Sequence, residues 1–551
     1  MPHRTIIVGG VAGGASCAAR LRRLDEQAEI VIYERGHYVS FANCGLPYHI
    51  GGIIADEAKL LVASPKLLHD RFRIAVKVRH EVIAIDRAAQ TVTVRELASG
   101  SESTDHYDHL VLSPGANAII PAIPGVDLPG VFTVRTVPEA RTVRAWITAR
   151  QATRALIVGG GFIGLEMAEN LSHRGLAVTL VEKANQVMPP LDPEMAAPVC
   201  TRLAEHGVTL LLGDAASAIR SAGAELRVTT ERGVEVAADL IILAIGVRPE
   251  TALAKQAGLQ LGPRAGIRVN AQLRTSDAHI LAIGDAAEVV DFATGAPALI
   301  PLAGPANRQG RLAAEIIAGR PGAFRGVQGT AVCGVFGLTV AMTGASEKSL
   351  QRAGAPAPGV VRLHPAHHVG YYPGAKPIHL KLLYRKEDGK ILGAQAIGEE
   401  GVERRIDVIA TAMRLGGTVD DLADLELCYA PQYGAAKDPV NLAGMVAANQ
   451  RNGDAPALPW SAADDPGFTV LDVREPNEWA AGHHQRAIHL PLHLVRDRLD
   501  EIPRDQPLAV YCAGGQRSYY AVRLLRQHGF DARNLSGGWQ SARHRAGAAA
   551  P

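Results

Sequence analysis

The chain contains one pattern twice: RTIIVGGVAGGASCAARLRRLDEQAEIVIYE at residues 4–34 and RALIVGGGFIGLEMAENLSHRGLAVTLVE at residues 154–182. Each copy begins as a short β-branched strand and turns through glycines into a segment with apolar residues at helical spacing. Each then ends in a second strand that closes on a glutamate. This order predicts a βαβ unit with a dinucleotide-binding loop, so the repeat predicts an α/β fold with two Rossmann-like domains.

The glycines and the terminal acid of each copy have separate physical roles. A glycine turn lets the backbone approach a pyrophosphate, whose charge the helix N-terminus stabilises, and the acid accepts hydrogen bonds from ribose hydroxyls. The positions concerned are Gly159, Gly161, Gly164 and Glu182 in the second copy, and Gly9, Val11, Gly14 and Glu34 in the first. The second copy fits G-x-G-x-x-G throughout, whereas the first has valine in place of the middle glycine.

Two further apolar segments, 239–251 and 274–289, predict buried strands that end in glycine. Read in isolation, each segment is only a core strand, and the glycines at their ends are Gly246 and Gly284, the latter followed by Asp285. Residues 327–446 change to an α+β pattern, and the polar, Pro- and Gly-containing stretch 447–462 predicts a linker. Strands and helical segments alternate again over 463–546, which predicts a small separate α/β domain.

Composition narrows the function classes. The 551 residues suggest three or four domains, and 57 Lys+Arg against 55 Asp+Glu gives no global reason to expect nucleic acid or an anionic membrane as partner. Six cysteines without zinc spacing predict neither a disulfide framework nor a metal site. The N-terminal apolar patch is too short for a signal peptide, and we expect a soluble, reduced, cytoplasmic protein.

Cys44 lies in SFANCGLPY at residues 40–48, soon after Glu34. A helix that opens at Leu46-Pro47 would place the thiol near its N-terminus, where the dipole favours a thiolate. The competing interpretation is a buried structural cysteine.

These motifs together resemble the flavoproteins of the pyridine nucleotide-disulfide oxidoreductase family, over residues 4 to about 445. SFANCGLPY is most similar to the active-site segment of coenzyme A-disulfide reductases and NADH-dependent persulfide reductases. The resemblance implies FAD in a discontinuous domain (1–150 and 246–326), NAD(P)H in 151–245, and homodimerisation through 327–446. Glu182 favours NADH because a 2′-phosphate would meet a carboxylate, although neighbouring Lys183 opposes this.

The resemblance also implies roles for individual residues. Position 49 is histidine, so the C-x-x-x-x-C pair of two-cysteine relatives is absent and Cys44 is a single redox cysteine that forms a mixed disulfide or carries a persulfide. The implied cofactor-binding residues are Gly9, Gly14, Glu34, Arg35, Gly159, Gly161, Gly164, Glu182, Gly246, Gly284 and Asp285. The implied coenzyme A contacts are Ser40 and Asn43 near the thiol end, and Arg20 and Arg23 at the phosphates, where a charged helix face is the competing interpretation.

A tyrosine pair from the partner subunit lies near the redox cysteine in these relatives, where a phenol can protonate a leaving thiolate. Tyr371 and Tyr429 are the candidates here, and Tyr372 and Tyr433 remain alternatives.

Cys512 lies in LAVYCAGGQRS at residues 508–518, where an apolar strand delivers it to a glycine loop before a helix. Successive N–H groups in such a loop bind anions, and Arg517 should lower the pKa of the thiol. With DVREPNEW at 472–479 and GGW at 537–539, this segment resembles rhodanese. Cysteine phosphatases have five residues between Cys and Arg, whereas this loop has four, which favours sulfane sulfur carried as a persulfide.

The sequence therefore predicts an FAD-dependent NAD(P)H oxidoreductase that reduces coenzyme A persulfide, polysulfide or coenzyme A disulfide, with a rhodanese domain that handles sulfane sulfur. Coenzyme A would be a substrate or a tightly bound ligand. Two alternatives remain: an NADH oxidase or peroxidase that uses a cysteine sulfenic acid, and a flavin-based redox-sensing interaction protein.

Overall fold

In a computed structural model, which describes residues 3–543 except the side chain of Arg543, the first copy of the repeat forms the centre of a parallel sheet. The strands, in spatial order, are Ile280–Ala282, His109–Leu112, Arg4–Val8, Glu29–Glu34 and Ala75–Val78. Ile6 packs into an apolar cluster on one face and Ile7 into a cluster on the other. Burial on both faces explains why these strands read as continuous apolar runs rather than alternating ones.

The second copy forms the centre of a matching parallel sheet. Its strands, in spatial order, are Thr209–Leu212, Ala177–Glu182, Arg154–Val158, Leu240–Leu243 and Val131–Phe132. The two predicted βαβ units are therefore both present, with helices Ala12–Arg22 and Phe162–His173. A Cβ on Gly310 would lie 2.3 Å from the Gly13 carbonyl oxygen, so helix Ala303–Ile317 packs backbone to backbone on the first of these helices.

The remaining elements complete the first of two units, which comprises residues 3–185 and 207–329. Its other helices are Leu46–Gly51, Pro65–Phe72, Val137–Arg150 and Ala252–Gln256. Its other strands are His80–Asp86, Thr91–Glu96, Glu102–His106, Ala116–Ala118, Ala216–Ala222, Glu225–Thr230, Glu235–Ala238, Val247–Pro249, Ile267–Arg268, Ala287–Val290 and Pro297–Ala298.

The second unit comprises residues 186–206 and 330–543 and contains two sheets. The first is antiparallel, and its strands in spatial order are Ala331–Val335, Leu338–Gly344, Ile391–Gly398, Ile378–Tyr384 and Gly359–Leu363. The helices of this part are Pro193–Glu205, Glu347–Arg352, Val402–Leu415, Val419–Asp424 and Pro439–Arg451. This is the predicted α+β pattern.

A buried ion cluster fastens helix Pro193–Glu205 to this sheet. The ammonium of Lys381, which is fully buried, lies 2.7 Å from Asp192 and 2.6 Å from Glu194, and it also contacts Glu347. Burial opposes ionisation of Glu194, but Lys381 and a nearby guanidinium outweigh it and lower the pKa of the carboxyl to about 2. The carboxylates thus compensate the buried ammonium.

The C-terminal sheet is parallel. Its strands in spatial order are Ala457–Leu458, Ala532–Leu535, Leu508–Tyr511, Thr469–Asp472 and Ala487–His489, and its helices are Pro476–Ala480, Gln516–Gln527 and Gly538–Arg543. Both faces are buried, as in the first two sheets.

The predicted linker differs from the structure at both ends. Helix Pro439–Arg451 continues into it because Gln450 accepts a hydrogen bond from Tyr384 Oη at 2.9 Å, which anchors that turn to the sheet. Strand Ala457–Leu458 occupies its later part, paired with Ala532–Leu535. The predicted rhodanese range 463–546 extends past the described residues, so its last three positions lie outside them.

Candidate active site

The first glycine loop shows why each glycine is needed. Gly9 has φ +93°, and a Cβ there would lie 2.2 Å from the Ser113 carbonyl oxygen. A Cβ on Gly14 would lie 1.9 Å from the Gly9 carbonyl oxygen, which holds the helix close to the turn. Glu34 accepts hydrogen bonds from the N–H of Gly10 at 2.9 Å and of Gly36 at 2.7 Å. The acid at the strand end therefore holds the loop in place.

A cleft of about 840 Å³ opens beside this loop, a volume within the range of cofactor sites. It brings together the predicted residues Gly9, Glu34, Arg35, Gly284 and Asp285. It is also lined by residues that the sequence interpretation missed, including Ser113, Asn117, Arg135 and Glu250. These residues fit the dinucleotide that the motif predicts, because the loop, the acid and the third strand end meet in one cleft.

Asp285 lies in the short turn Gly284–Ala286 that follows strand Ile280–Ala282. The Gly284 N–H donates to Gln309 Oε1 at 2.6 Å, which fixes the turn. Burial raises the pKa of the Asp285 carboxyl, and the guanidinium of Arg135 acts in the opposite direction. The carboxyl can accept hydrogen bonds from hydroxyl groups of a ligand in the cleft.

The second glycine loop repeats this geometry. Gly159 has φ +110°, and a Cβ on Gly164 would lie 2.0 Å from its carbonyl oxygen. Gly161 differs, because its φ of −82° suits any residue and a Cβ there would meet no atom within 4 Å. The backbone geometry therefore does not require this glycine, and the open space is compatible with its predicted role of letting a pyrophosphate approach.

Glu182 accepts hydrogen bonds from the N–H of Gly160 at 2.7 Å and of Ala184 at 2.8 Å. The Lys183 side chain is 79% exposed, and its ammonium lies 3.9 Å from Glu231 rather than over the loop. Gly246, also predicted to bind cofactor, has φ +118° and is exposed, three residues beyond the end of strand Leu240–Leu243.

A second cleft of about 620 Å³ surrounds Cys44. It brings together all of the predicted substrate contacts, namely Ser40, Asn43, Arg20 and Arg23. The sequence interpretation missed three further residues that line it, Ser16, Asn307 and Arg311. Glu315 lies 2.8 Å from Arg20 and 3.3 Å from Arg311, and Arg23 is a third guanidinium in the lining of the cleft. The excess positive charge suits phosphate groups.

The thiol of Cys44 is exposed in the turn Asn43–Gly45, just before helix Leu46–Gly51. The predicted helix is present beside the thiol. Desolvation by the surrounding protein raises the pKa of Cys44, and the carboxylates of Glu166 and Asp285 raise it further.

Glu166 lies one turn into helix Phe162–His173 of the second βαβ unit. Burial raises the pKa of its carboxyl to about 7, and Tyr48 Oη donates to Glu166 Oε1 at 3.3 Å. His49, at the position of the second cysteine in two-cysteine relatives, is buried, with Nδ1 2.7 Å from the carbonyl oxygen of Ile54.

In the second unit, Tyr371 and Tyr429 are joined by a hydrogen bond of 2.7 Å between their hydroxyls. This bond raises the pKa of Tyr371. Tyr372 instead packs edge-on against His368, and Tyr433 is exposed. Of the open alternatives, the named pair is the one that the structure brings together.

The Cys512 loop is held by the segment that follows strand Ala532–Leu535. The Trp539 N–H donates to the Cys512 carbonyl at 2.8 Å, and the Gln540 N–H donates to the Ala513 carbonyl at 2.9 Å. In a trans peptide the N–H points opposite to the C=O, so the N–H groups of the loop point away from Trp539 and Gln540. The Gly515 N–H donates to Cys512 Sγ at 3.1 Å, so one backbone donor of the loop contacts the sulfur.

The contacts of Arg517 differ from the prediction that its charge acts on the Cys512 thiol. Its guanidinium binds both oxygens of Glu478, at 2.6 and 2.7 Å, so its charge is shared with a carboxylate rather than reserved for the thiol. The sequence interpretation missed Glu478, although it quoted the DVREPNEW segment that contains it.

Comparison with known proteins places these sites in a family. The family model described as pyridine nucleotide-disulphide oxidoreductase matches residues 3–309, and its dimerisation domain matches 330–438. The chain belongs to the pyridine nucleotide-disulphide oxidoreductase family. A rhodanese-like domain matches residues 458–544. The predicted resemblance, fold class and oxidoreductase activity are thus confirmed, and membership of this family implies FAD and a pyridine nucleotide as cofactors.

Three relatives of this oxidoreductase are informative. Coenzyme A disulfide reductase of Staphylococcus epidermidis is 37% identical over 447 residues, which is 81% of this chain and 100% of that protein. The crystal structure of reduced Bacillus anthracis CoADR-RHD is 47% identical with a TM-score of 0.97, covering 99% of this chain and 98% of that one. A NAD-dependent persulfide reductase from A. fulgidus is 36% identical with a TM-score of 0.91, covering 98% and 99%.

A membrane-spanning helix and a metal-binding cluster are both absent from residues 3–543. No helix in that range is long and apolar enough to cross a membrane. In the same range no three His, Cys, Asp or Glu side chains are grouped so as to hold a metal ion.

Proposed function

We propose that this oxidoreductase uses NADH to reduce coenzyme A persulfide, a related polysulfide or coenzyme A disulfide at Cys44. The observation that carries the proposal is that Asn43, next to Cys44, lines both the dinucleotide cleft and the arginine-bearing cleft. The redox cysteine is therefore at the boundary between the two. The relatives named for coenzyme A disulfide and for persulfide support the same substrate class.

FAD bound in the larger cleft would supply a hydride acceptor for the nicotinamide and a two-electron donor for a sulfur–sulfur bond. Residues of the protein would bind and orient coenzyme A. Arg20, Arg23 and Arg311 would hold the phosphates of coenzyme A, while Ser40 and Asn43 would orient its thiol end.

The Cys44 thiolate attacks the inner sulfur of the persulfide, a mixed disulfide with coenzyme A forms, and hydrosulfide leaves. Two electrons and one proton then restore the Cys44 thiolate and release coenzyme A as a thiol. The overall balance is coenzyme A persulfide plus NADH plus a proton giving coenzyme A, hydrogen sulfide and NAD⁺. No second cysteine is needed, because the substrate supplies the other sulfur.

The same proposal includes the cofactor preference, the homodimer, the role of Cys512 and the location of the protein. Glu182 would select NADH, because its carboxylate would repel a 2′-phosphate. The dimerisation-domain match supports a homodimer in which the partner's Tyr371–Tyr429 pair protonates the leaving thiolate. Cys512 would carry sulfane sulfur. A reduced thiol at Cys44 fits a cytoplasmic location.

The test is NADH turnover by the purified flavoprotein against coenzyme A persulfide, coenzyme A disulfide and inorganic polysulfide. The proposal expects NADH consumption that depends on one of these, with sulfide released from the first. Aerobic NADH consumption without any sulfur substrate would favour the NADH oxidase alternative. Flavin reduction by NADH without reoxidation by any acceptor would favour the redox-sensing alternative.

A further inference from the structure

The guanidinium of Arg517, next to the Cys512 loop in sequence, is already paired with the carboxylate of Glu478. Both terminal nitrogens of Arg517 contact Glu478, and each side chain is about 30% exposed. The charge of Cys512 is among the causes that raise the pKa of Arg517, so the pair lies near the loop. A bidentate pair of this kind uses the fork that would otherwise bind the oxygens of an anionic substrate.

Glu478 is also held in place from its own side. The Glu475 N–H donates to Glu478 Oε2 at 3.0 Å, as part of the cap of helix Pro476–Ala480. The hydrogen bond from Arg517 lowers the pKa of this carboxyl, so it is ionised at neutral pH. The carboxylate is thus a fixed charge rather than a mobile counter-ion.

Arg474, a second described guanidinium whose charge acts on Glu478, is not free either. Arg474 is buried and bound to Asp472 through two nitrogens, at 2.6 and 3.0 Å. Glu475 adds a second negative charge whose field also reaches Arg517. The thiol itself receives the Gly515 N–H and lies 3.4 Å from Ser518 Oγ, both neutral groups.

We infer that Glu478 determines which sulfur donor the Cys512 loop accepts, by neutralising Arg517 and so favouring a thiol persulfide, R–S–SH, over the thiosulfate dianion. The inference rests on the proposed sulfur-transfer role of Cys512. Glu478 acts through Arg517 and is therefore a positioning residue. In the transfer, the Cys512 thiolate bonds to the outer sulfur of R–S–SH, the S–S bond of the donor breaks, and the donor leaves as R–SH with the persulfide proton. The product is the Cys512 persulfide anion, and no net oxidation occurs.

The experiment measures thiocyanate formed from cyanide by the full-length protein, with glutathione persulfide or thiosulfate as donor. The wild type should have the higher kcat/KM with the persulfide. Glu478→Gln should raise kcat/KM for thiosulfate about tenfold, equivalent to about 1.4 kcal/mol, mainly through a lower KM, and change the persulfide value far less. Glu475→Gln removes the same charge without touching Arg517 and should leave the donor ratio near that of the wild type.

Three outcomes would overturn the inference: a wild type that prefers thiosulfate, a donor ratio unaltered in Glu478→Gln, or an equal change in Glu475→Gln. The wild-type measurement keeps the test decisive even if the variant does not fold. Cys512→Ser separates this inference from the function on which it rests. Transfer that persists in Cys512→Ser contradicts the sulfur-transfer role, whereas loss in Cys512→Ser with an unaltered ratio in Glu478→Gln contradicts the inference alone.

Discussion

Replacing Glu182 with glutamine tests how the nicotinamide loop is held. The carboxylate accepts the N–H groups of Gly160 and Ala184 through its two different oxygens, at 2.7 and 2.8 Å. Glutamine offers one acceptor oxygen, and its NH₂ group would face the other N–H donor. One of the two hydrogen bonds is therefore lost, and the acceptor of the remaining hydrogen bond is no longer charged.

The size of the effect follows from that loss. A hydrogen bond to a charged group contributes about 1.5–3 kcal/mol, and 1.4 kcal/mol is a factor of about ten, so kcat/KM for NADH should fall by about 10- to 100-fold. NADPH should be affected much less. Unit charges about 4 Å apart repel by roughly 4 kcal/mol near a protein surface, and removing the carboxylate relieves a repulsion of that order on the 2′-phosphate.

The assay is steady-state consumption of NADH and of NADPH with a saturating sulfur acceptor, for Glu182→Gln and for Glu231→Gln. Glu231 carries the same charge in the same domain but is exposed, 3.9 Å from Lys183, so its variant should behave as the wild type. Flavin content confirms that each variant is folded. A Glu182→Gln protein with unaltered NADH kinetics and an unaltered NADH-to-NADPH ratio would refute this account of the loop.

Three further predictions concern other parts of the chain. Gly14→Ala should yield protein largely without flavin, measured by the ratio of flavin to protein absorbance, because a Cβ would lie 1.9 Å from a loop carbonyl; normal flavin content would contradict this. Lys381→Met should lower the free energy of unfolding by about 3–5 kcal/mol in denaturant titration, since it leaves carboxylates uncompensated, and unchanged stability would count against the buried cluster. Glu166→Gln should lower the pKa of Cys44 and so speed its alkylation at neutral pH, whereas Glu169→Gln should not; equal rates in both variants would disprove the electrostatic role.

Local patterns were enough to predict the two nucleotide units and the strand, loop and helix around Cys512. A glycine turn between a strand and a helix has a characteristic spacing, and Gly9 and Gly159 both adopt the positive φ that such a turn requires. The same is true of the Cys512 loop, whose strand, glycines and helix are contiguous in sequence. These features depend on interactions between residues that are close along the chain.

Contacts between distant segments could not be predicted in this way. Arg517 and Glu478 are 39 residues apart, and their pairing depends on how the C-terminal helices pack on the sheet. The pKa of Cys44 is raised by burial and by Glu166, which lies in the other nucleotide domain, and neither effect can be read from the local sequence around the thiol. Arg311 reaches the Cys44 cleft from a helix that the sequence motifs do not mark.

The central claim is that NADH reduces the sulfur–sulfur bond of the substrate through a single cysteine, Cys44. The most direct test measures NADH-dependent sulfide release from coenzyme A persulfide by Cys44→Ser, with stopped-flow flavin reduction by NADH as the control. The account predicts that flavin reduction persists, because Cys44 does not contact the nicotinamide loop, while sulfide release falls to the uncatalysed rate. Sulfide release by Cys44→Ser at the wild-type rate would contradict the account.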